Sequence, residues 1–302
     1  EYPALLPPLM ALAEEIRSRC HCPLCEALRL MLPAEMRGGR IQVKTAEYAR
    51  LTIPADRIEE AIASQSRAPK RKLLITLLSD LQEHPLDELK GMMSDVRTPL
   101  KYLVEKEMAQ IIEREALRSP FYGRVDAPPD PALTPEQTEV LSELIHALQQ
   151  QTKPFLLHGV TGSGKTEVYI RLVREALKAG KGTIILVPEI VLTPQMINWF
   201  RSRFGDTMAV LQSRLTPGER FDEWRRIRLG RARIVIGARS AVFAPVENLG
   251  VIIVDEEHEQ TYFSDRFPQY DAREVAVSRG KREGAVVLLA SATPSIFSYA
   301  MC

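Results

Sequence analysis

A glycine-rich octapeptide, GVTGSGKT at positions 159–166, constrains the fold of this chain more than any other segment. It follows a short apolar stretch, Phe155 to Leu157, and precedes a stretch from Glu167 to Lys178 whose apolar residues recur at helical spacing. Strand, glycine-rich loop and helix in this order form a P-loop, in which glycines let backbone N–H groups surround phosphate oxygens without interference from a Cβ. A chance glycine-rich turn is the alternative, and the flanking strand and helix argue against it. The chain is therefore predicted to contain a parallel α/β sheet with a phosphate-binding loop.

The second motif is an apolar run, 251–254, that ends in the tetrapeptide DEEH at 255–258. Together with the P-loop it predicts a site that hydrolyses ATP with Mg²⁺. Lys165 is expected to reach the β- and γ-phosphates, and Thr166 and Asp255 are expected to bind Mg²⁺. Glu256 is expected to orient the attacking water, and His258 is counted with the catalytic residues. The other predicted nucleotide-binding residues of the loop are Gly159, Thr161, Gly162, Ser163 and Gly164.

Length, charge and hydropathy limit the remaining possibilities. A chain of 302 residues is long enough for about two domains. Its net charge is +1, so a nucleic-acid surface has to be a local patch, for which residues 214–239, with eight arginines against three acids, are the candidate. The chain has no run of about 18 apolar residues and no signal-like start, so we expect a cytoplasmic protein with no membrane partner.

The cysteines indicate little metal chemistry. Cys22 and Cys25 form a lone CxxC pair beside His21, but no second pair follows that would complete a tetrahedral zinc site. We therefore expect Cys20, Cys22, Cys25 and Cys302 to be free, partly buried thiols. The chain starts at Glu1 rather than methionine and stops soon after the SAT sequence at 291–293, which suggests a fragment.

The first part of the chain is predicted to be mainly helical. Two helices are expected near the start, over Leu5 to Arg19 and Pro23 to Leu32. A further set of three helices and one strand predicts a winged helix, a compact helix-turn-helix variant with a β-wing. That set consists of a leucine stripe at 73–81, helices from Pro85 to Met93 and from Thr98 to Lys106, and strand-like alternation from Met108 to Arg114.

The charges of this predicted winged helix leave its contact with DNA open. The basic residues Arg67, Lys70, Arg71 and Lys72 favour contact with phosphates, whereas the acidic residues between 105 and 115 would repel them. A small helical spacer is the alternative. A proline-rich linker is predicted from Tyr122 to Pro135.

Beyond the linker, strands and helices alternate as a parallel sheet requires. Both nucleotide motifs fall at the carboxyl ends of predicted strands, where ligands of open α/β sheets bind. The predicted strands are Phe155 to Leu157, Thr183 to Val187, Met208 to Leu211, Arg233 to Ile236, Val251 to Val254 and Ala285 to Leu289.

Five segments together resemble the PriA family of bacterial replication-restart DNA helicases. They are GVTGSGKTEVYI at 159–170, VPEIVLTPQ at 187–195, IGARSAVFAP at 236–245, VIIVDEEHEQTY at 251–262 and SATPS at 291–295. The resemblance implies a RecA-like helicase lobe over 126–302, a winged-helix domain over 41–125, and the last helices of an N-terminal DNA 3′-end-binding domain over 1–40. It also implies a superfamily 2 helicase that moves 3′ to 5′ on DNA.

The resemblance further implies roles for individual residues. Gln137 resembles the adenine-reading glutamine of the Q motif. Two sets are expected to face single-stranded DNA: Glu189, Thr193 and Gln195 in motif Ia, and Arg239 and Ser240 in motif Ib. Ser291 and Thr293 resemble the motif that couples hydrolysis to DNA movement. Tyr262, Tyr270 and Arg273 fall where the family has an aromatic-rich, DNA-sensing loop.

The DNA-sensing role of that aromatic-rich loop is partly supported by elementary chemistry, because aromatic faces stack on bases of any sequence. Ordinary packing of the loop is the alternative and is the interpretation preferred for Phe267.

The chain differs from the family pattern at four positions that concern DNA coupling: Gln212, Arg214, Ala238 and Asp271.

The resemblance also implies partners, namely forked and single-stranded DNA, primosome proteins and single-strand-binding protein. Zinc is expected only in a cysteine-rich module outside this chain, and a second RecA lobe with an arginine finger is likewise outside it. This chain alone is therefore not expected to unwind DNA.

Two classes of function remain. One is an ATP-dependent helicase, and the other is a non-catalytic fork-binding primosome loader with weakened coupling between ATP and DNA. Intact Lys165, Asp255 and Glu256 favour the enzyme. A P-loop transporter or signalling ATPase is set aside, because the sequence has neither an LSGGQ-like segment nor a membrane span.

Overall fold

A computed structural model describes residues 3–38, 41–118, 129–148, 150 and 153–302. The first part of the predicted linker, 122–128, lies outside the described residues. The chain divides into two compact units, one formed by residues 42–118 and a larger one formed by residues 1–41 together with 119–302.

Two helices open the larger unit, as predicted: α1 (Pro7–Arg19) and α2 (Leu24–Met31). The inward face of α1 carries Leu9, Leu12 and Ile16, all less than 4% exposed, and these side chains belong to the same apolar cluster as the central sheet. Polar contacts between α1 and the helix Ala272–Glu283 add to the packing. Arg19 pairs with Glu274, and Ser278 and Arg282 both donate to the Glu15 carboxylate. Residues 3–38 are therefore packed as part of the larger unit, and their assignment to a preceding DNA-binding domain stays a prediction.

The smaller unit is a three-stranded antiparallel sheet packed on four helices, and its strand order is β2 (His84–Pro85), β1 (Thr45–Leu51), β3 (Ala109–Glu115). Its core is built from leucines at helical spacing, among them Leu74, Leu78, Leu100 and Leu103, each at most 1% exposed. The three predicted helices and the strand are confirmed, and identification of the unit as a winged helix stays a prediction. Its elements are β1 (Thr45–Leu51), α3 (Ile58–Ser64), α4 (Pro69–Leu77), β2 (His84–Pro85), α5 (Leu86–Met92), α6 (Arg97–Glu105) and β3 (Ala109–Glu115).

Part of the basic cluster on this unit has partners within it. The Arg71 guanidinium lies 3.4 Å from the centre of the Tyr102 ring, and Lys70 is 3.7 Å from Asp95. The pair between Lys70 and Asp95 is at the surface, where an ion pair contributes little to stability.

The larger unit is organised around a six-stranded parallel sheet. Its strand order is β4 (Phe155–His158), β11 (Val286–Ser291), β8 (Leu249–Val254), β5 (Gly182–Leu186), β7 (Ile234–Gly237), β6 (Met208–Leu211). All six predicted strands are confirmed. Its remaining elements are α7 (Pro135–Ala147), β4 (Phe155–His158), α8 (Lys165–Lys178), β5 (Gly182–Leu186), α9 (Pro194–Phe204), β6 (Met208–Leu211), α10 (Pro217–Arg228), β7 (Ile234–Gly237), β8 (Leu249–Val254), β9 (Phe263–Ser264), β10 (Tyr270–Asp271), α11 (Ala272–Glu283), β11 (Val286–Ser291) and α12 (Ile296–Met301).

The central strands are apolar throughout because helices cover both faces of the sheet. In β8, Ile252 and Val254 belong to the cluster on one face, while Val251 and Ile253 belong to the cluster on the other. This double burial explains why the run before DEEH shows no polar alternation.

Three helices of the larger unit begin with the same dipeptide, Thr-Pro. Thr134, Thr193 and Thr216 each accept a hydrogen bond from a backbone N–H of the first turn, and each following proline occupies the first helical position. A proline there has no N–H to leave unpaired, and its fixed φ suits a helix. These caps fix where the helices start, and therefore where the preceding loops end.

Among the described residues, no helix is long and apolar enough to cross a membrane.

The cysteines are free, with Cys22 buried and Cys25 exposed. We expect protein purified without chelators to contain no zinc that depends on Cys22, because a lone pair supplies only half of a tetrahedral site. Metal analysis of the wild type and of Cys22→Ser tests this. Stoichiometric zinc that disappears in Cys22→Ser would contradict it.

Candidate functional site

The glycine-rich loop joins β4 to α8 in a conformation that only glycines adopt without strain. Gly162 has φ 82° and Gly164 has φ 79°, values in the left-handed region that side chains with a Cβ rarely adopt. A Cβ at Gly159 would lie 2.7 Å from the Ser163 hydroxyl. The loop closes through a hydrogen bond from the Ser163 N–H to the Val160 carbonyl, 3.1 Å. Its N–H groups and the positive end of α8 form an arrangement suited to phosphate.

Lys165 lies inside this loop rather than on the surface. Its side chain is 9% exposed, and the ammonium donates to the Gly159 carbonyl at 2.7 Å. The same ammonium is 3.9 Å from the Glu256 carboxylate. The fold thus brings the two sequence motifs within ion-pair distance.

Asp255 stands at the end of β8 and is 9% exposed. The Tyr169 hydroxyl, from α8, donates to its Oδ1 at 2.8 Å. Burial raises the pKa of Asp255, while the bond from Tyr169 acts in the opposite direction. Burial and the neighbouring carboxylate raise the pKa of Tyr169, so this phenol remains a donor. Sequence reasoning missed Tyr169, because a tyrosine on the inner face of a helix looks like an ordinary core residue.

The two residues predicted to hold Mg²⁺ carry hard oxygen donors, which this ion prefers; it is commonly held by one or two carboxylates together with substrate phosphates and water. Asp255 supplies a carboxylate and Thr166, in the first turn of α8, a hydroxyl. No cluster of three or more His, Cys, Asp or Glu side chains that could hold a metal occurs in the part of the chain that the structure describes.

Glu256 adopts an unusual backbone conformation, with φ 46°. For a residue with a Cβ this left-handed conformation costs on the order of 1–3 kcal/mol and has to be held by surrounding contacts. Two backbone hydrogen bonds and one from a side chain hold it: Glu259 N–H to the Glu256 carbonyl at 3.0 Å, Glu257 N–H to the Ala290 carbonyl at 3.0 Å, and the Arg273 guanidinium to the Glu257 carbonyl at 2.8 Å.

His258 connects the DEEH segment to the strand that ends in SAT. Its Nδ1 is 2.8 Å from the Ser291 hydroxyl, which also accepts from the Thr293 N–H at 3.0 Å. Ser291 is fully buried, whereas Thr293 is exposed. The predicted coupling residues of this motif therefore lie directly beside the predicted catalytic segment.

Gln137 reaches the P-loop from the first turn of α7. It completes a capping box with Thr134, and its side-chain amide donates to the Ser163 carbonyl at 2.8 Å. A Cβ at Gly164 would lie 2.4 Å from this amide nitrogen. Gln137 is thus placed at the nucleotide loop, and adenine reading stays a prediction.

The aromatic residues after DEEH do not have the arrangement expected from their sequence. Tyr262 is 1% exposed, and its hydroxyl donates to the carbonyls of Leu186 at 3.1 Å and Asp255 at 2.5 Å. Tyr270 is 8% exposed and packs edge to face on Phe243. Neither ring is accessible for a base to stack on it, and a role for Tyr262 and Tyr270 in coupling to DNA stays a prediction.

The exposed aromatic rings of this segment are Phe263 and Phe267, at 48% and 63%. The preference for a packing role at Phe267 is wrong, since a packed side chain would be covered. A short pair of strands, β9 and β10, which the sequence did not reveal, orients two of these rings: Tyr270 is buried opposite Ser264, and Phe263 is exposed opposite Asp271.

Arg239 and Arg273 stabilise the segment 257–263 by donating hydrogen bonds to its backbone carbonyls. Arg239 donates to the carbonyls of Thr261, at 3.3 Å, and Phe263. Arg273 forms a close ion pair with Asp271, 2.6 Å, in addition to its bond to Glu257. Asp271, one of the four differences from the family pattern, caps α11 by accepting from the Arg273 N–H at 2.9 Å.

Three of the five residues predicted to face DNA border a cleft of about 660 Å³, whose lining does not include the phosphate loop. Glu189, Arg239 and Ser240 line it, and the other wall includes Met31 and Pro33 from the N-terminal segment. Thr193 instead caps α9, and Gln195 is exposed on that helix. The contribution of the N-terminal segment could not be anticipated, because it joins residues far apart in the sequence.

The arginine-rich stretch 214–239 is less available to phosphates than its composition suggests. Arg226 pairs with Glu223 at 2.5 Å, Arg228 with Glu247 at 2.8 Å, and Arg220 with Glu35 at 3.1 Å. Much of this stretch therefore stabilises the protein instead of forming an open basic patch.

Comparison with known proteins gives a consistent result. Residues 134–300 match the DEAD/DEAH box helicase family. The chain is 40% identical over 271 residues to the replication restart protein PriA of Bacillus subtilis (strain 168), covering 86% of this chain and 34% of that protein. It is 39% identical over 282 residues to PriA of Chlamydia pneumoniae, covering 92% of this chain and 38% of that protein. It thus spans little more than a third of the length of these relatives.

Among solved structures, that of RecG bound to a three-way DNA junction aligns with a TM-score of 0.43 and 27% identity, covering 56% of this chain and 22% of RecG. The family match covers more than half of the chain and includes the P-loop, DEEH and SAT segments. The protein therefore belongs to the DEAD/DEAH box helicase family, and its sequence similarity is to the PriA replication restart proteins.

Proposed function

We propose that this chain is the nucleotide-hydrolysing lobe, with an adjoining small domain, of an ATP-dependent 3′-to-5′ DNA helicase that acts in replication restart. The observation that carries the proposal is the convergence of the P-loop, DEEH and SAT segments at the carboxyl edge of neighbouring strands β4, β11 and β8. Ligands of open parallel sheets bind at that edge.

In the proposed reaction the loop amides and Lys165 hold the β- and γ-phosphates of ATP. Glu256 orients the attacking water, a role that its distance of 3.9 Å from the Lys165 ammonium supports. Asp255 and Thr166 would hold Mg²⁺, which when bound would neutralise developing charge on the phosphates. Tyr169 keeps the Asp255 carboxylate in place by its hydrogen bond.

Hydrolysis would be linked to DNA through the segment that follows DEEH. Arg239, at the edge of the cleft, binds the carbonyls on either side of Tyr262, and the Tyr262 hydroxyl binds the carbonyl of Asp255. A strand of DNA that displaces Arg239 or contacts the exposed Phe263 would shift these bonds together. Tyr262 thus connects the cleft to Asp255, and stacking on bases is assigned to the exposed Phe263 and Phe267.

The partners proposed for the full-length protein are forked and single-stranded DNA, together with primosome proteins and single-strand-binding protein. The remaining part of that protein would supply a second RecA lobe and the zinc module. The named relatives support a role in replication restart, since both are replication restart proteins.

Unwinding assays on the full-length protein test this function. We expect ATP-dependent separation of forked duplexes and of duplexes with a 3′ single-stranded tail, together with DNA-stimulated ATP hydrolysis. Fork binding without any ATP hydrolysis would instead support the non-catalytic loader. Unwinding only from a 5′ tail would contradict the proposed polarity.

Arg239→Ala and Tyr262→Phe are expected to weaken DNA stimulation of the ATPase by about 5- to 100-fold, the range typical of coupling between two sites. Each removes a link between the cleft and Asp255 while leaving the P-loop intact, so the Kd for ATP should stay within about twofold. Steady-state hydrolysis with and without single-stranded DNA measures the effect. The matched control is Arg233→Ala, because Arg233 is exposed and directly precedes β7, whereas Arg239 follows it. Normal DNA stimulation in both variants would refute the connection.

A further inference from the structure

The third residue of DEEH, Glu257, has a fully buried carboxylate that belongs to no part of the mechanism above. Its side chain accepts hydrogen bonds from the Ser295 N–H at 2.8 Å, the Ser295 hydroxyl at 2.9 Å and the Ser298 hydroxyl. Glu257 and Ser298 are each 0% exposed. A buried carboxylate is costly unless it is well hydrogen-bonded, and bonds to an ionised acceptor are about twice as strong as neutral ones.

These donors come from the segment that directly follows SAT. Ser295 is the N-cap of α12, and its hydroxyl accepts from the Ser298 N–H at 3.2 Å while donating to Glu257. The carboxylate therefore fixes both the end of the loop 292–295 and the start of α12. Loop 292–295 contains Thr293 and follows Ser291, the partner of His258.

The backbone of Glu257 is fastened to two further elements. Its N–H donates to the Ala290 carbonyl in β11, and its carbonyl accepts from Arg273 in α11. Glu257 thus joins β11, α11 and α12 at a single residue. On one side of it stands Glu256 in its left-handed conformation, and on the other stands His258.

We propose that Glu257 is a positioning residue that holds loop 292–295 against the DEEH segment, so that Glu256 and His258 keep their geometry. The carboxylate would hold the loop through Ser295 and Ser298, and the backbone would transmit that restraint to the neighbouring residues. The inference rests on the proposed ATP hydrolysis and assigns to the second glutamate of DEEH a role distinct from that of the first.

The test uses Glu257→Ala, Glu257→Gln and Ser295→Ala in the full-length protein. Glu257→Ala is expected to lower kcat for DNA-stimulated ATP hydrolysis by about 10- to 100-fold, since a misplacement of about 1 Å in a catalytic group has effects of this size. The Kd for a non-hydrolysable ATP analogue should remain within about twofold, because the P-loop is unaltered. Glu257→Gln should restore most of the rate, because an amide can still accept from the Ser295 N–H and donate to a serine hydroxyl.

Glu259→Ala is the matched control, because this neighbouring carboxylate is 43% exposed and makes only a 3.9 Å contact with His258. Ser295→Ala removes one donor and the α12 cap, and it provides a milder variant should Glu257→Ala fail to fold. Hydrogen exchange of the amides in 291–298 should accelerate in Glu257→Ala and Ser295→Ala and remain unchanged in Glu259→Ala.

The outcomes separate this inference from the proposed function. Unchanged exchange in 291–298, or an unchanged kcat in folded Glu257→Ala and Ser295→Ala, would overturn the positioning role. A loss of analogue binding in parallel with kcat would also overturn it, because the defect would then lie in nucleotide binding. A wild-type protein that hydrolyses no ATP would refute the proposed function and with it any catalytic role for Glu257, whereas exchange would still show whether the carboxylate holds the loop.

Discussion

Replacement of Lys165 by alanine is expected to abolish ATP hydrolysis by the full-length protein, with a fall in kcat of at least about 100-fold. The ammonium is held inside the P-loop, 2.7 Å from the Gly159 carbonyl, where the 9% exposed Lys165 side chain would meet phosphate oxygens. A positive charge in such a site stabilises developing negative charge far more than one in solvent. ATP affinity should fall as well, because Lys165 contacts the nucleotide before and during the reaction.

Glu256→Gln is expected to give an equally large loss of hydrolysis with a different signature. The amide retains the shape of the side chain but cannot accept a proton or orient water as a carboxylate does, so ATP binding should persist while kcat collapses. Hydrolysis measured by phosphate release and binding measured with labelled ATP distinguish the two variants. Glu259→Gln is the control for loss of a nearby negative charge. Substantial DNA-stimulated turnover in both Lys165→Ala and Glu256→Gln would show that the site is not the one proposed.

The second large effect is expected on stability, from Arg279→Met. Arg279 is 0% exposed, and its guanidinium donates to the carbonyls of Val242 at 2.6 Å and Ala244 at 3.1 Å while pairing with Glu283 at 2.7 Å. Methionine has a similar length and no donors, so the Val242 carbonyl and the Glu283 carboxylate would lose the Arg279 guanidinium, and the Ala244 carbonyl would keep only the bond from the Val246 N–H. Removal of one member of a buried ion pair costs about 3–5 kcal/mol.

Urea unfolding of the 302-residue chain measures this effect. The chain contains two tryptophans, Trp199 and Trp224, and both lie in the larger unit, so their fluorescence reports on its unfolding. Arg282→Ala serves as the control, because Arg282 is 37% exposed and pairs with Glu15 at the surface, where such a pair contributes about 1 kcal/mol or less. An equal effect of the two substitutions would show that the carbonyl contacts of Arg279 add nothing.

The sequence predicts this fold well because its strongest signals are local. The P-loop, the apolar run before DEEH and the alternation of strands with helices each depend on residues close together in the chain, and the structure confirms the six parallel strands. The Thr-Pro dipeptides likewise mark helix starts through bonds within a single turn.

The details of the site were less predictable because they depend on which distant groups a side chain meets. A tyrosine after DEEH is equally compatible with stacking on a base and with donating to a carbonyl, and only the proximity of the Leu186 and Asp255 carbonyls decides in favour of the second for Tyr262. Tyr169 and Glu257 pose the same problem, since their partners lie 86 and about 40 positions away. The packing of α1 against apolar side chains of the central sheet also joins residues far apart in the chain, so no local pattern in the sequence predicts it.

The division of the chain into units has a consequence for how it folds. The larger unit is discontinuous, because the smaller unit lies between its two segments in the sequence. The ends of the smaller unit are close together, since Thr45 pairs with Glu115 and the Arg118 guanidinium donates to the Gln42 carbonyl at 3.0 Å. If the smaller unit folds first, the connection that must close before α1 reaches the sheet becomes much shorter, and the entropy lost on closure falls with it. An inserted domain of this kind would accelerate assembly of the unit that surrounds it, and its excision in favour of a short linker should leave the larger unit able to fold.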